Sequence, residues 1–253
     1  MIEALPDWAF QAVLVLARIG GAVMLLPGLG APEVPATIRL ALVLALTALV
    51  LPLVHPGLPP LPTELPDMLR LLGLETVTGL WLGLLARLIE LALAQAGQVM
   101  ALMVGLASPL QTDPAIGAQG TALSRLFGLA ATVLVLATGL YALPLRALAE
   151  SYAALPVGAA LNMSGQAAAV AQTAADSLSL ALRLAAPLIL ASVLGQFALG
   201  LLARLAPQVP VFMVAAPGQI LAGLLLVALL LPTLLGGWLA AVRDGFQALP
   251  GLP

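Results

Sequence analysis

The sequence predicts an all-α, membrane-associated protein of long hydrophobic helices. Three observations carry that expectation. The 253 residues are 62% hydrophobic and only 8% charged, whereas a soluble domain carries about 25% charged residues, so too little polarity remains to cover a water-soluble surface. The apolar residues run in long blocks punctuated by proline and glycine. The blocks lack the period-two alternation of a membrane β-strand, which leaves helices as the way to satisfy backbone N–H and C=O groups away from water.

Six blocks can be measured against the ~20 residues a spanning helix needs. The first covers 8–26. Pro27, Pro32 and Pro35 separate it from the second, 39–54, which is short for a span. A stiff connector containing Pro56, Pro59, Pro60, Pro62 and Pro66 leads to the third, 69–103. The fourth covers 126–148, and a polar segment rich in Ala, Gln, Ser and Asn, 151–177, follows it. The fifth, 178–205, and the sixth, 211–242, are, like the third, too long for one straight crossing. Gly79 and Gly83 form a small-xxx-small pair, continued by Gly97, Ala101 and Gly105 and again by Ala191 and Gly195. Such stripes let helix backbones approach closely, either inside one bundle or between subunits.

Between the fifth and sixth blocks stands "RLAPQVPVF". Arg204 falls in a last helical turn, where a cation meets the negative end of the helix dipole. Pro207 and Pro210 flank Gln208 and stop the incoming helix, since proline lacks the N–H and clashes with the preceding turn. Pro217 before Gly218 predicts a second break, a kink in the outgoing helix. The stretch reads as a hairpin tip.

The charged residues sit in unusual places. Arg18 lies in the middle of the first block, Glu75 near the start of the third, and Arg183 early in the fifth. Arg87 and Glu90 lie three residues apart, close enough to pair on one helical face. A charge at a bilayer centre costs about 2.5–3.5 kcal/mol on insertion scales, so such residues face protein or water. The connectors balance their few charges, and none is positive enough to set orientation. These helices are therefore expected to lie against other protein chains.

Several function classes are excluded or disfavoured. The absence of cysteine removes disulfides, thiolate metal sites and thiol nucleophiles. The one histidine, His55, sits in a proline-rich turn and reads as a loop residue. A net charge of −2 gives no nucleic-acid footprint. The first seven residues are acidic rather than basic, so the first apolar run is expected to stay in the mature protein. There is no HExxH, GxSxG or phosphate loop, and the serine in Asn162-Met-Ser-Gly165 has no histidine nearby. No catalytic residue, metal or cofactor is expected.

The quoted tip and its flanks, "LGLLARLAPQVPVFMVAAP", resemble the C-terminal hallmark of the flagellar biosynthetic protein FliR family and its virulence counterpart, the T subunit of type III secretion export gates. Other collinear segments share the resemblance. Arg18-Ile-Gly-Gly, Pro27, Pro35 and Arg39 resemble its Arg…Pro…Pro…Arg spacing. Ala96-Gly97-Gln98, Met103-Val-Gly-Leu-Ala-Ser108 and Asp113-Pro114 resemble its AGE…GLS…DP segment, and Leu155-Pro-Val-Gly158 its LPxG. Gln98, Gln196 and Gln219 stand where the family often has a charged residue, or Asn in the case of Gln196.

The resemblance implies a subunit of the type III protein export gate, forming a channel for unfolded proteins across the bacterial inner membrane, within a flagellar basal body or injectisome base. It implies FliP-like nested hairpins over 1–165 and a FliQ-like hairpin over 166–253. The implied partners are FliP-like and FliQ-like gate subunits, FlhB-like and FlhA-like export components, and the exported chains. It also implies a channel plug in the segment 105–120, with Gly105, Leu106, Ser108, Leu110, Asp113, Pro114, Ile116 and Gly117 as its working residues. Arg18, Arg87, Glu90 and Arg183 are then buried charges that serve assembly. The competing reading is a stand-alone polytopic transporter of small molecules, with the break at Pro217 near its substrate.

Overall fold

The computed structural model describes residues 5–31, 34–106, 121–159, 162–205, 208 and 211–250. It contains α1 (Leu5–Leu25), α2 (Ala36–Val54), α3 (Leu65–Val104), α4 (Ala122–Ala137), α5 (Ala142–Ala154), α6 (Met163–Leu205) and α7 (Val211–Gln247), with one 3-10 turn, His55–Gly57, after α2. Among the described residues, five helices are long and apolar enough to cross a membrane. There are six if α4 and α5, bent by 69° at their junction, count as one broken span. The chain is an all-α membrane protein.

Two expectations need correction. The second block is not short: with the 3-10 turn it forms a continuous stretch of 22 residues, Ala36–Gly57. The fourth block is not one helix. Gly139 adopts φ +75°, a left-handed conformation that ends α4 at little steric cost. Pro144 then falls in the first turn of α5, where its missing N–H has no partner to lose. The polar segment 151–177 is largely helical, because α6 begins at Met163. Asn162 starts it: its Oδ1 accepts hydrogen bonds from the Gly165 N–H at 3.2 Å and the Ser164 hydroxyl at 2.8 Å, an Asn N-cap. The Asn-Met-Ser-Gly motif is thus a helix start. Pro217 stands inside the outgoing helix. α7 continues through both Pro217 and Pro232, as membrane helices tolerate when neighbouring groups take up the freed carbonyl. Pro207 and Pro210 lie outside the described residues.

The chain packs as two compact units, Met1–Glu90 with Thr132–Ala174 and Arg243–Pro253, and Leu91–Ala131 with Ala175–Val242. In the first unit, α1 crosses the first half of α3 on glycine. A Cβ on Gly79 would collide with the Arg18 carbonyl, and one on Gly83 would lie 2.5 Å from the Ala22 carbonyl oxygen. From the other side, a Cβ on Gly21 would lie 2.8 Å from the Thr76 carbonyl oxygen. The Gly79/Gly83 stripe therefore serves packing within the chain. Leu14, Val15, Ile19 and Ala22 of α1 are fully buried.

In the second unit, the end of α3 packs on α4 in the same way. A Cβ on Gly97 would lie 2.7 Å from the Phe127 ring and 3.0 Å from the Leu123 carbonyl oxygen. The Ser124 hydroxyl donates to the Ala94 carbonyl at 2.9 Å. In α6 and α7, Ala181, Ala185, Leu188, Leu234 and Trp238 are buried in this unit.

Replacing Gly79 by alanine forces backbone against backbone. Overpacking of this kind costs about 1–3 kcal/mol, so Gly79→Ala is expected to lower the unfolding midpoint of the purified protein in denaturant. Gly73, on the same helix, has open space where its Cβ would stand, and Gly73→Ala should leave the midpoint unchanged or raise it slightly.

Candidate functional site

Arg18 emerges from the α1–α3 crossing into a closed polar node. The side chain is 1% exposed, and its carboxylate partner Glu75 is 2% exposed. Arg18 Nε donates to Glu75 Oε2 at 2.6 Å and Nη2 to Oε1 at 3.0 Å, a two-pronged pair between α1 and α3. Nη1 donates to Ser151 Oγ on α5 at 3.3 Å, and Nη2 to the Leu155 carbonyl at 2.9 Å. The guanidinium lies 4.1 Å from the centre of the Tyr152 ring. One cation thus ties three helices together, with a carboxylate, a hydroxyl, a carbonyl and an aromatic face around it. Gly158, at φ +80°, lets the chain turn after Leu155 where a Cβ would meet Leu71 at 2.9 Å, which accounts for the Leu-Pro-x-Gly segment.

The second expected pair lies farther along α3. Arg87 Nη1 is 3.7 Å from Glu90 Oε2, and the Thr132 hydroxyl on α4 donates to Glu90 Oε1 at 3.0 Å. Glu90 is buried and Arg87 half-buried. Arg183, expected among the buried charges, is exposed on this chain, midway along α6 rather than near the start of a helix. The reason is that α6 absorbed the polar segment before it. Arg204 stands in the last turn of α6 and is exposed, as is Gln208.

Most of the segment expected to plug a channel, including Ser108, Leu110, Asp113, Pro114, Ile116 and Gly117, lies outside the described residues. Its two ends are described, and both are fastened. At the near end Gly105 has φ +85°. The Leu106 N–H donates to the Ala101 carbonyl at 2.9 Å and the Gly105 N–H to the Leu102 carbonyl at 3.3 Å, which is the Schellman closure of a helix. At the far end Thr121 caps α4, its hydroxyl oxygen accepting the Ser124 N–H at 3.2 Å. Gln98 Oε1 accepts both the Thr121 N–H at 3.1 Å and its hydroxyl at 3.0 Å. Gln98 is thus a loop anchor that needs only an acceptor oxygen, a role that the glutamate common in the family would also fill.

His55 is structural. Gln11 Nε2 donates to the Pro59 carbonyl at 3.2 Å, which turns Oε1 toward His55 Nδ1 at 2.7 Å, so Nδ1 carries the hydrogen. The ring stacks on Trp8 with centroids 3.8 Å apart.

Sequence reasoning missed one feature of the second unit. A cavity of about 450 Å³ opens between the end of α3, α6 and α7, lined by Met103, Val104, Ala191, Ser192, Gly195, Gly218, Gln219 and neighbouring apolar residues. The small residues at 191 and 195 face this space. The Ser192 hydroxyl turns to the Met103 carbonyl at 2.8 Å, leaving Gln219 as the other polar side chain of the lining. Its chemistry suits an apolar group better than a polar solute.

The model of the family described as bacterial export proteins, family 1, matches residues 9–245. A flagellar biosynthetic protein FliR of Caulobacter vibrioides is 34% identical over 239 residues, covering 93% of this chain and 95% of that protein. FliR of Aquifex aeolicus is 31% identical over 89% of this chain and 87% of its own length. FliR of Escherichia coli is 30% identical over 86% of this chain and 82% of its own.

The Arg18 node yields a stability test. Removing one member of a buried ion pair typically costs about 3–5 kcal/mol, because the other charge is left without a partner. Arg18→Met is therefore expected to reduce folded yield and unfolding midpoint sharply. Adding Glu75→Leu to it should recover much of the loss. A double-mutant cycle in denaturant checks the sign.

Proposed function

This chain belongs to the FliR family of bacterial export proteins, and from that premise we propose that it forms part of the wall of the flagellar protein export gate, a conduit for unfolded proteins. It is a component of the flagellar export apparatus and a multi-pass protein of the bacterial inner membrane. The observation that carries the finer reading is the collinear family match from residue 9 to residue 245.

In this reading, residues 1–165 are nested hairpins of FliP type and 166–253 a hairpin of FliQ type. FliP-like and FliQ-like subunits surround the chain in the basal body, and FlhB-like and FlhA-like components feed the gate. Two features of the fold support it. Arg18, Glu75 and Glu90 meet partners inside the chain, so the interior is complete by itself. By contrast α6 and α7 expose Leu190, Leu194, Phe197, Met213, Leu221 and Leu225, a surface suited to contact with sister helices. Arg204, Gln208 and the prolines around it make the hairpin tip.

The segment 105–120 acts as the closure. It is held at both ends on α3, and its Leu106, Leu110 and Ile116 exclude water from a narrow pore, as hydrophobic constrictions do. Export energy comes from the partners and the proton gradient.

Two experiments test the proposal. Deleting residues 106–115 in a gate reconstituted into vesicles is expected to make the vesicles leak ions. Vesicles as tight as wild type remove the plug from the account. Co-expressed with FliP-like and FliQ-like subunits, the chain should purify as a complex with them. A chain that is stable by itself and binds a small solute favours the transporter reading instead.

A further inference from the structure

We infer that the exposed face of α6 around Arg183 is a docking surface for a helix of another chain that is apolar along its length and carries a single Asp or Glu. This rests on the export-gate reading above and deepens it by assigning the chemistry of one contact.

Arg183, Leu190, Leu194, Phe197 and Leu201 follow one another at intervals of seven, four, three and four residues, so they form one stripe along the helix. All are exposed: Leu190 62%, Leu194 60%, Phe197 68% and Leu201 49%. The stripe is about 27 Å long at 1.5 Å per residue, close to the depth of a bilayer's hydrocarbon core. Its only charge is the cation at its foot. Among the described residues no ion pair or hydrogen bond reaches that guanidinium.

This sets Arg183 apart from the other arginines in the middle of long apolar helices, Arg70, Arg204 and Arg243 lying nearer helix ends. Arg18 has Glu75, and Arg87 has Glu90. Away from the terminal turns, the described parts of α1, α3 and α7 carry two carboxylates, Glu75 and Glu90, and both are buried and paired. Asp176, two turns before Arg183, already makes an interaction of its own. An arginine on a lipid-facing surface is unfavourable unless it is paired or reaches water. A carboxylate on a partner helix supplies both the charge and the two acceptor oxygens that a guanidinium fork fits.

The test uses the tagged full chain co-expressed with the two gate subunits proposed above, with captured subunits counted by native mass spectrometry. Arg183→Lys should keep the complex, Arg183→Gln should reduce captured subunits about tenfold, and Arg183→Glu should abolish capture. Replacing an Asp or Glu in an apolar helix of one partner by lysine should then restore capture to Arg183→Glu alone. Because Arg183 is exposed, the unfolding midpoint of each variant alone should match wild type, which separates a lost contact from a lost fold. If the wild-type chain assembles and Arg183→Glu assembles equally well, the inference is overturned while the export-gate reading stands. If the variants keep their subunits but lose co-purifying phosphatidylglycerol, the cation faces a lipid phosphate and the inference is overturned. A wild-type chain that captures neither subunit overturns the export-gate reading and this inference with it.

Discussion

A guanidinium buried in an apolar helix survives only when every donor finds an acceptor and the charge finds its opposite. Arg18 meets both conditions, and much of the first unit is arranged so that it can. Gly79 and Gly83 bring the backbone of α1 onto α3, which sets Glu75, one turn before Gly79, within reach of the Arg18 fork. The broken span then delivers α5, whose Ser151 and Tyr152 close the remaining sides, and Leu155 adds a carbonyl. The bend at Gly139 and the turn at Gly158 are thus parts of the same construction.

The two halves of the sequence handle charge differently. Toward the N-terminus, Arg18 and Arg87 are answered by Glu75 and Glu90 within the chain. In α6, Arg183 stands open beside a stripe of exposed leucines and a phenylalanine. A chain that neutralises its inner charges yet leaves an apolar hairpin and a mid-helix cation uncovered has a surface still to be covered. That contrast is what a subunit, as opposed to a solitary transporter, would show.

The connection after α3 illustrates how the two ends of a segment can be placed precisely. Its near end is closed by a left-handed glycine and two backbone hydrogen bonds, its far end by Thr121 held on Gln98. Both anchors belong to α3, whose small residues pack it tightly on α4 through Gly97. A rigid helix therefore fixes where the intervening segment begins and ends, whatever that segment does between.

Composition and local pattern determined the helical class, the apolar blocks, the glycine stripe at 79 and 83, the cap at Arg204 and the resemblance that led to the family. These are legible because helix length, helical spacing and proline or glycine stops act over a few residues. The same local reasoning missed one break: Gly139 ended a helix inside a block that read as continuous. Only the tertiary structure decided that Arg18 pairs with Glu75, 57 positions away, that Gln98 anchors a loop rather than carrying charge, and that Arg183 remains uncovered. Pairing across the fold depends on which helices approach closely, and that is set by the packing of whole faces together, which no stretch of the chain encodes by itself.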